Sequence, residues 1–195
     1  MTTNSSYKNI YLIRHPKTEA PDGVCYGNSD VFPGESSLME ATEKVRSKLN
    51  EVDLDACYSS PLSRCRLLAE RLVGAKNVDT NELLREIDFA SWEMKPWSEI
   101  PQEQQKEWGD DFINCKIHGG ENFFDVQKRI VEFWEQVTRT ATREILVVSH
   151  AGLLRALLAH LLDASPRKIF AIEVDYGDVI QVKWSNKSYY KIKFL

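Results

Sequence analysis

The chain has 195 residues, 43% hydrophobic and 28% charged, which allows one core without staples and excludes a disordered chain. Its net charge of −4 argues against a basic nucleic-acid-binding surface. No apolar run approaches the roughly 18 residues needed to cross a bilayer, and the stretch IYLI near the start is cut off by Arg14, too short for a signal peptide. We therefore expect a soluble, cytoplasmic protein built as one domain over residues 1–195. Cys25, Cys57, Cys65 and Cys115 form no CxxC pair, which argues against a zinc knuckle or a thioredoxin-like site, and in the cytosol they should be free thiols.

In chain order, IYLIR is the first strand candidate and runs into His15. Leu38, Ala41, Val45, Leu49 and Val52 then recur at helical spacing. DACYS is the next strand and leads to Ser60. Ser60-Pro61 reads as N-cap and first helical position; Cys65, Leu68, Ala69, Leu72 and Val73 share a face, and Gly74 is the stop. From Glu93 to His118 the periodicity weakens around Pro96, Trp97, Pro101, Trp108 and Phe112. We read residues 93–118 as an excursion off the sheet, with the character of a lid. Glu121 opens the next helix, whose apolar face is Phe123, Val126, Ile130, Phe133, Val137 and Ala141. EILVVS leads to His150, and LLRALLAHLL is apolar nearly all round, the pattern of a buried helix. IFAIEV, VIQVKW and YYKIKF are the last strand candidates. Strands alternating with helices predict an α/β fold, a three-layer α/β/α sandwich with a mostly parallel central sheet. The last strands lack intervening helices, which predicts an antiparallel edge.

Ligands of open α/β sheets bind beyond the carboxyl ends of the strands. Three predicted strands deliver polar groups there: Arg14-His15, Ser59-Ser60 with Arg64 in the following turn, and Ser149-His150. Two histidines and two arginines at one point suit a phosphate, because guanidinium forks match its oxygens and helix N-termini add free N–H groups. Singly, each piece is more often structural. A histidine that closes a strand is usually just hydrogen-bonded, and an arginine in a first turn is usually a solvated charge. His118, in a loop, and His160, late in the buried helix, receive the structural reading. So do Trp92, Trp97, Trp108, Phe123 and Phe124 as core, although the excursion has aromatics to spare for a pocket wall.

At these residues the sequence resembles the histidine phosphatase superfamily, in its phosphoglycerate mutase-like branch. YLIRHPKTE is similar to the family's R-H-G-x-T opening, and YSSPLSRCRLLAE to S-S-P-L-x-R-A-x-x-T-A. LREIDFASWE is similar to L-x-E-x-x-x-G-x-W-E, GGENFFDVQKR to G-G-E-S-x-x-D-V-x-x-R, and VVSHAGLLRALLAHLL to V-S-H-G-G-x-I-R-A-L-L. The motifs run in the family's order from Tyr11 to about Leu162. Departures are Pro16, Ala90 and Ala151 for glycine, and Cys65 and Leu68 for alanine and threonine. Among the alanines, Ala151 is the one where a positive φ would matter most.

The resemblance implies that His15 is the nucleophile and becomes phosphohistidine. It implies that Arg14, Arg64 and His150 surround the transferring phosphoryl oxygens, that Thr18 and Ala151 belong to the phosphate-binding set, and that Glu86 is the acid/base carboxylate. The plain alternative for Glu86 is a structural pair with Arg85 or Arg64. No metal and no cofactor are expected. The expected partner is one small-molecule phosphomonoester, with no nucleic acid and no membrane; oligomeric state is left open. CYGNSD is similar to the C-Y-G-x-x-D of bacterial α-ribazole phosphatases, which implies α-ribazole 5′-phosphate, in cobalamin nucleotide-loop assembly, as substrate. The alternatives are a broad-specificity phosphatase, a phosphoglycerate mutase, and a non-catalytic binding protein on the same fold. Retention of His15, Arg14, Arg64, Glu86 and His150 together argues against the last. The acidic excursion is a poor clamp for the polyanion a mutase handles.

Overall fold

The computed structural model describes residues 7–116, 119–185 and 189–195; His118 lies outside them. The main sheet has six strands. In chain order the elements are β1 (Tyr7–Arg14), β2 (Val24–Cys25), α1 (Glu35–Lys48), β3 (Ala56–Ser59), α2 (Ser63–Val73), β4 (Val78–Thr80), β5 (Lys95–Pro96), α3 (Gln102–Asp110), α4 (Phe123–Arg139), β6 (Glu144–Ser149), α5 (Ala151–Leu161), α6 (Pro166–Ile169), β7 (Val179–Ser185) and β8 (Tyr189–Phe194). The sheet order is β4-β3-β6-β1-β7-β8. The first four are mutually parallel, while β7 and β8 run antiparallel to their neighbours. The mostly parallel sheet with an antiparallel edge is thus as the sequence predicts.

Side chains of a strand alternate between its two faces. Ile10 and Leu12 of β1, with Ile145 and Val147 of β6, enter the core shared with α4 and α5. Tyr11 and Ile13, with Leu146 and Val148, enter the opposite core with α1 and α2. Helices therefore cover both faces. A separate small cluster of Cys25, Trp92 and Ile100, with Phe89, Trp97 and Trp108 packed on it, lies off the main sheet. Two-residue pairing of β2 with β5 ties this cluster to the loop after β1.

Several local expectations change. IFAIEV is not a strand: Ser165-Pro166 starts α6, and Ala171 and Ile172 then donate their N–H groups to Lys168 and Ile169 carbonyls in turns. α2 begins at Ser63 rather than Pro61. Its first turn is capped from a distance by Asp30, whose carboxylate accepts from the Ser63 N–H (2.6 Å) and hydroxyl (2.8 Å). Gly74 does end it, at φ 85°. α4 is capped by Asn122 in a reciprocal box with Asp125, so Glu121 stands outside the helix. Leu49 caps α1, while Val52 and Ala141 lie beyond their helices. The excursion is partly regular, holding β5, α3 and a short 3-10 turn at Trp97–Glu99. Phe124 is not core but 48% exposed.

The strained alanine is Ala90, at φ 46°, and not Ala151, whose φ is not positive. Ala90 opens the short turn Ala90–Trp92. A left-handed L-residue costs roughly 1–2 kcal/mol, part of which glycine gives back as chain entropy. Ala90→Gly should therefore stabilise by about 0.5–1 kcal/mol, raising Tm by roughly 1–4 °C at this chain length. An unchanged or lower Tm in a thermal scan would show that no strain is stored there.

Candidate active site

The register of the sheet brings the histidines together. Arg14 of β1 is paired with Ser149 of β6, so the next residue on each strand, His15 and His150, emerges side by side. The His15 N–H donates to the Ser149 carbonyl at 3.0 Å, and the two rings lie 5.0 Å apart. Ser59 of β3 pairs with Val148, which sets Ser60 beside them. His15, at 2% exposure, holds Nδ1 2.7 Å from the Pro16 carbonyl oxygen. A carbonyl only accepts, so Nδ1 carries the proton and Nε2 keeps its lone pair. Nε2 makes no hydrogen bond among the described residues.

Arg64 is completely buried. It donates from Nε to His150 Nδ1 (3.2 Å), from Nη1 to the Ser29 carbonyl (2.7 Å) and from Nη2 to the Gly27 carbonyl (2.6 Å). His150 therefore accepts at Nδ1 and donates from Nε2 to the Ser60 hydroxyl (2.9 Å), with Cys65 Sγ 3.4 Å from Nε2. Arg14 donates from Nη1 to the Val174 carbonyl (2.7 Å), while its Nε is buried without a partner among the described residues. Both histidines are held well below the usual imidazole range, by burial first and the Arg64 charge second.

Glu86 follows the turn Glu82–Leu84. Its carboxylate accepts from the N–H groups of Ile87 (3.0 Å) and Gly152 (3.4 Å), and it pairs with neither Arg85 nor Arg64. A Cβ at position 152 would stand 2.6 Å from Glu86 Oε1, so this turn of α5 admits only glycine while Glu86 stays in place. Arg129 of α4 binds the backbone carbonyls of Leu83, Arg85 and Glu86 and pairs with Glu121 at 2.7 Å. The motif residues Glu121 and Arg129 thus tack the Glu86 segment onto α4.

These groups open onto a cleft of about 430 Å³. Arg14, His15, Glu86, Ala151 and Gly152 form one end; Trp97, Trp108, Phe112, Phe123 and Phe170 are apolar wall. Arg64 and His150 stand behind the wall rather than on it. Thr18 is buried, bridged to Pro33, and does not line the cleft. His160 is exposed on α5, away from the site. Sequence reasoning missed Asp30, Glu93, Arg155 and Tyr176. Glu93 accepts from the Asn28 N–H (2.7 Å), the Phe89 N–H (3.1 Å) and the Ser29 hydroxyl, fixing the loop whose carbonyls hold Arg64. Its place in the W-E motif was the available signal. Arg155 lines the cleft and, among the described residues, donates a hydrogen bond only from Nε, to the Ile172 carbonyl (2.9 Å). Burial and the nearby Arg14 charge lower its pKa. Among the described residues no three His, Cys, Asp or Glu side chains gather where a metal ion could be held, and no helix is long and apolar enough to cross a membrane.

The family model of the histidine phosphatase superfamily, branch 1, matches residues 10–194. The chain belongs to that family. Among histidine phosphatase relatives, the chain is 27% identical over 174 residues to an adenosylcobalamin/α-ribazole phosphatase of Escherichia coli, covering 86% of each chain. It is 29% identical over 173 residues to phosphoserine phosphatase 1 of Hydrogenobacter thermophilus, covering 85% of this chain and 82% of that one. The fold of the α-ribazole phosphatase from Shigella flexneri superposes with a TM-score of 0.85 at 24% identity, over 96% of this chain and 95% of that one.

Two buried neutral histidines make stability depend on pH. Their folded pKa values lie below the unfolded 6.5, so below about pH 6.5 the unfolded chain binds more protons than the native one. Stability should therefore be full above that value and fall as pH drops, by about 1.4 kcal/mol per pH unit for each histidine. Urea midpoints across this range measure the slope, and His15→Ala should reduce it. A slope untouched by that substitution would place the dependence elsewhere.

Proposed function

We propose that this chain is a phosphomonoesterase acting through a phosphohistidine at His15. The observation that carries the proposal is the His15 imidazole itself: neutral, its Nδ1 proton fixed on the Pro16 carbonyl, its Nε2 lone pair free, at a cleft wall shared with Arg14 and Glu86. Nε2 attacks phosphorus and the bond to the alcohol oxygen breaks. The Glu86 carboxyl group delivers a proton to that oxygen. Water then attacks the phosphohistidine, Glu86 takes its proton, and inorganic phosphate leaves with His15 neutral again. Arg14, on the cleft wall beside His15, meets the growing oxyanion charge directly. Arg64 and His150 act from behind the wall, as a fixed positive charge and the imidazole it orients. The first N–H groups of α5 add the positive end of a helix dipole.

His15→Ala should abolish turnover and leave the fold intact, and wild type should trap an acid-labile, base-stable phosphoenzyme on His15. Glu86→Gln should cost alkyl phosphates about 10²–10⁴-fold in phosphorylation and nitrophenyl phosphate far less. Equal losses on both would make Glu86 structural.

For substrate we favour α-ribazole 5′-phosphate, in cobalamin nucleotide-loop assembly in the cytoplasm. The aromatic wall of Trp97, Trp108 and Phe112 suits a flat apolar base, and the E. coli relative carries that name. Arg155 favours a second reading. A guanidinium on the cleft wall, hydrogen-bonded only through Nε among the described residues, suits a carboxylate, as in phosphoserine, which the name of the Hydrogenobacter relative mentions. We expect kcat/KM to be higher for α-ribazole 5′-phosphate than for phosphoserine or 3-phosphoglycerate, assayed at one salt concentration. The reverse order would transfer the assignment to the carboxylated substrates, and a flat profile to a broad-specificity phosphatase.

A further inference from the structure

Arg14 is gripped by the loop between α6 and β7. That loop supplies the Val174 carbonyl to Nη1, and it pairs with the Arg14 backbone through the Gly177 N–H (3.1 Å) and the Asp178 carbonyl (3.3 Å). Tyr176, between these contacts, lays its ring against the guanidinium, 3.9 Å from its carbon to the ring centroid. The same ring is 5.6 Å from that of His15. Lys44 of α1 pins the loop from outside, donating to the Tyr176 carbonyl (3.1 Å) and pairing with Asp178 (2.7 Å). A matching arrangement backs the other arginine: the Arg64 guanidinium stands 5.1 Å from the ring centroid of Tyr26. The Tyr26 hydroxyl also interacts with the hydroxyl of Tyr176.

We propose that Tyr176 is a positioning residue for phosphoryl transfer, its ring setting the plane in which Arg14 meets the phosphoryl group. The physical reason is that an arginine has several rotatable bonds and one carbonyl does not fix its plane. A face-on aromatic removes the remaining rotation and attracts the cation without consuming an N–H. A carboxylate in the same place would also fix Arg14, but it would neutralise the charge the phosphate needs. The ring therefore orders the cation and leaves its donors and charge to the substrate. This inference rests on the phosphomonoesterase reading, because it assigns Tyr176 to the phosphate end of that site.

The test compares wild type, Tyr176→Phe and Tyr176→Met, each also in an Arg14→Ala background, with Tm as a folding control. The readouts are inhibition by inorganic phosphate and separate kcat and KM values on nitrophenyl phosphate. Tyr176→Met, which fills the space without a ring face, should weaken phosphate binding roughly tenfold and raise KM by a similar factor. Tyr176→Phe keeps the face and should retain most of the affinity. In the Arg14→Ala background the methionine substitution should change phosphate binding no further, because its route of action is gone. An undiminished effect without Arg14, or unchanged binding in Tyr176→Met, overturns the proposal. Should the methionine variant not fold, Tyr176→Phe decides: a loss as large as that of Arg14→Ala would show that the face is not what acts. If wild type neither binds phosphate nor hydrolyses any phosphomonoester, the phosphomonoesterase reading itself falls, and this inference with it.

Discussion

A fully buried guanidinium with no carboxylate partner among the described residues organises this molecule. Taking a cation out of water costs several kcal/mol, and Arg64 recovers that through two backbone carbonyls and an imidazole nitrogen, all neutral. Its charge is therefore satisfied as a hydrogen-bond donor but not cancelled. The consequence reaches the neighbouring histidines: burial first and this charge second hold both well below the usual imidazole range, so they stay neutral at ordinary pH. For a nucleophile that is the useful state, since a protonated imidazole has no lone pair to offer. The same positive field then favours an anion over water in the cleft.

Holding such an arginine still takes more of the chain than the arginine itself. The carbonyls of Gly27 and Ser29 belong to a loop that Glu93 clamps by three hydrogen bonds, and Glu93 sits in the excursion, bound to the loop strand β2 through β5. Gly27 is required there because a Cβ would lie 2.6 Å from the Ile87 carbonyl oxygen. Glu86 is held in a comparable way through Arg129 and Glu121. Two of the motifs thus consist largely of fasteners, which place side chains from other segments.

What was legible in the sequence follows from range. An apolar run that ends abruptly in Arg14-His15, Ser59-Ser60 or Ser149-His150 states both the strand and the group it presents, so the parallel sheet and the convergence at its carboxyl end could be read directly. Arrangements that join distant segments could not. Asp30 caps a helix more than thirty residues away, displacing the expected Ser60 cap. Val174 and Tyr176 reach Arg14 from a turn with no motif. IFAIEV has strand composition, yet Ser165-Pro166 turns its first residues into a short helix. Ala90 shows a subtler limit: a substitution for glycine is visible in the sequence, but which of two such alanines bears the positive φ depends on the backbone alone.

The division of the cleft has a consequence for specificity. The end of the cleft that holds Arg14, His15 and Ala151 is built from the termini of β1, β6 and α5, which are seated in the two main cores. The apolar wall comes largely from the excursion, from the start of α4 and from Phe170, with Trp97 and Trp108 resting on the small cluster of Cys25, Trp92 and Ile100. Trp97 and Trp108 rest on a cluster separate from the cores that seat His15, so that part of the wall can change with little effect on the geometry there, whereas Phe112 and Phe123 pack in the main core. The two are joined by Glu93, which belongs to the excursion and yet fixes the loop beneath Arg64, and by the pairing of β5 with β2. Substitutions in α3 therefore change the Trp108 part of the wall and leave the termini of β1 and β6 in place. Substitutions that move Glu93 act on the loop beneath Arg64, and the excursion can vary only as far as that carboxylate and the β2–β5 pairing stay in place.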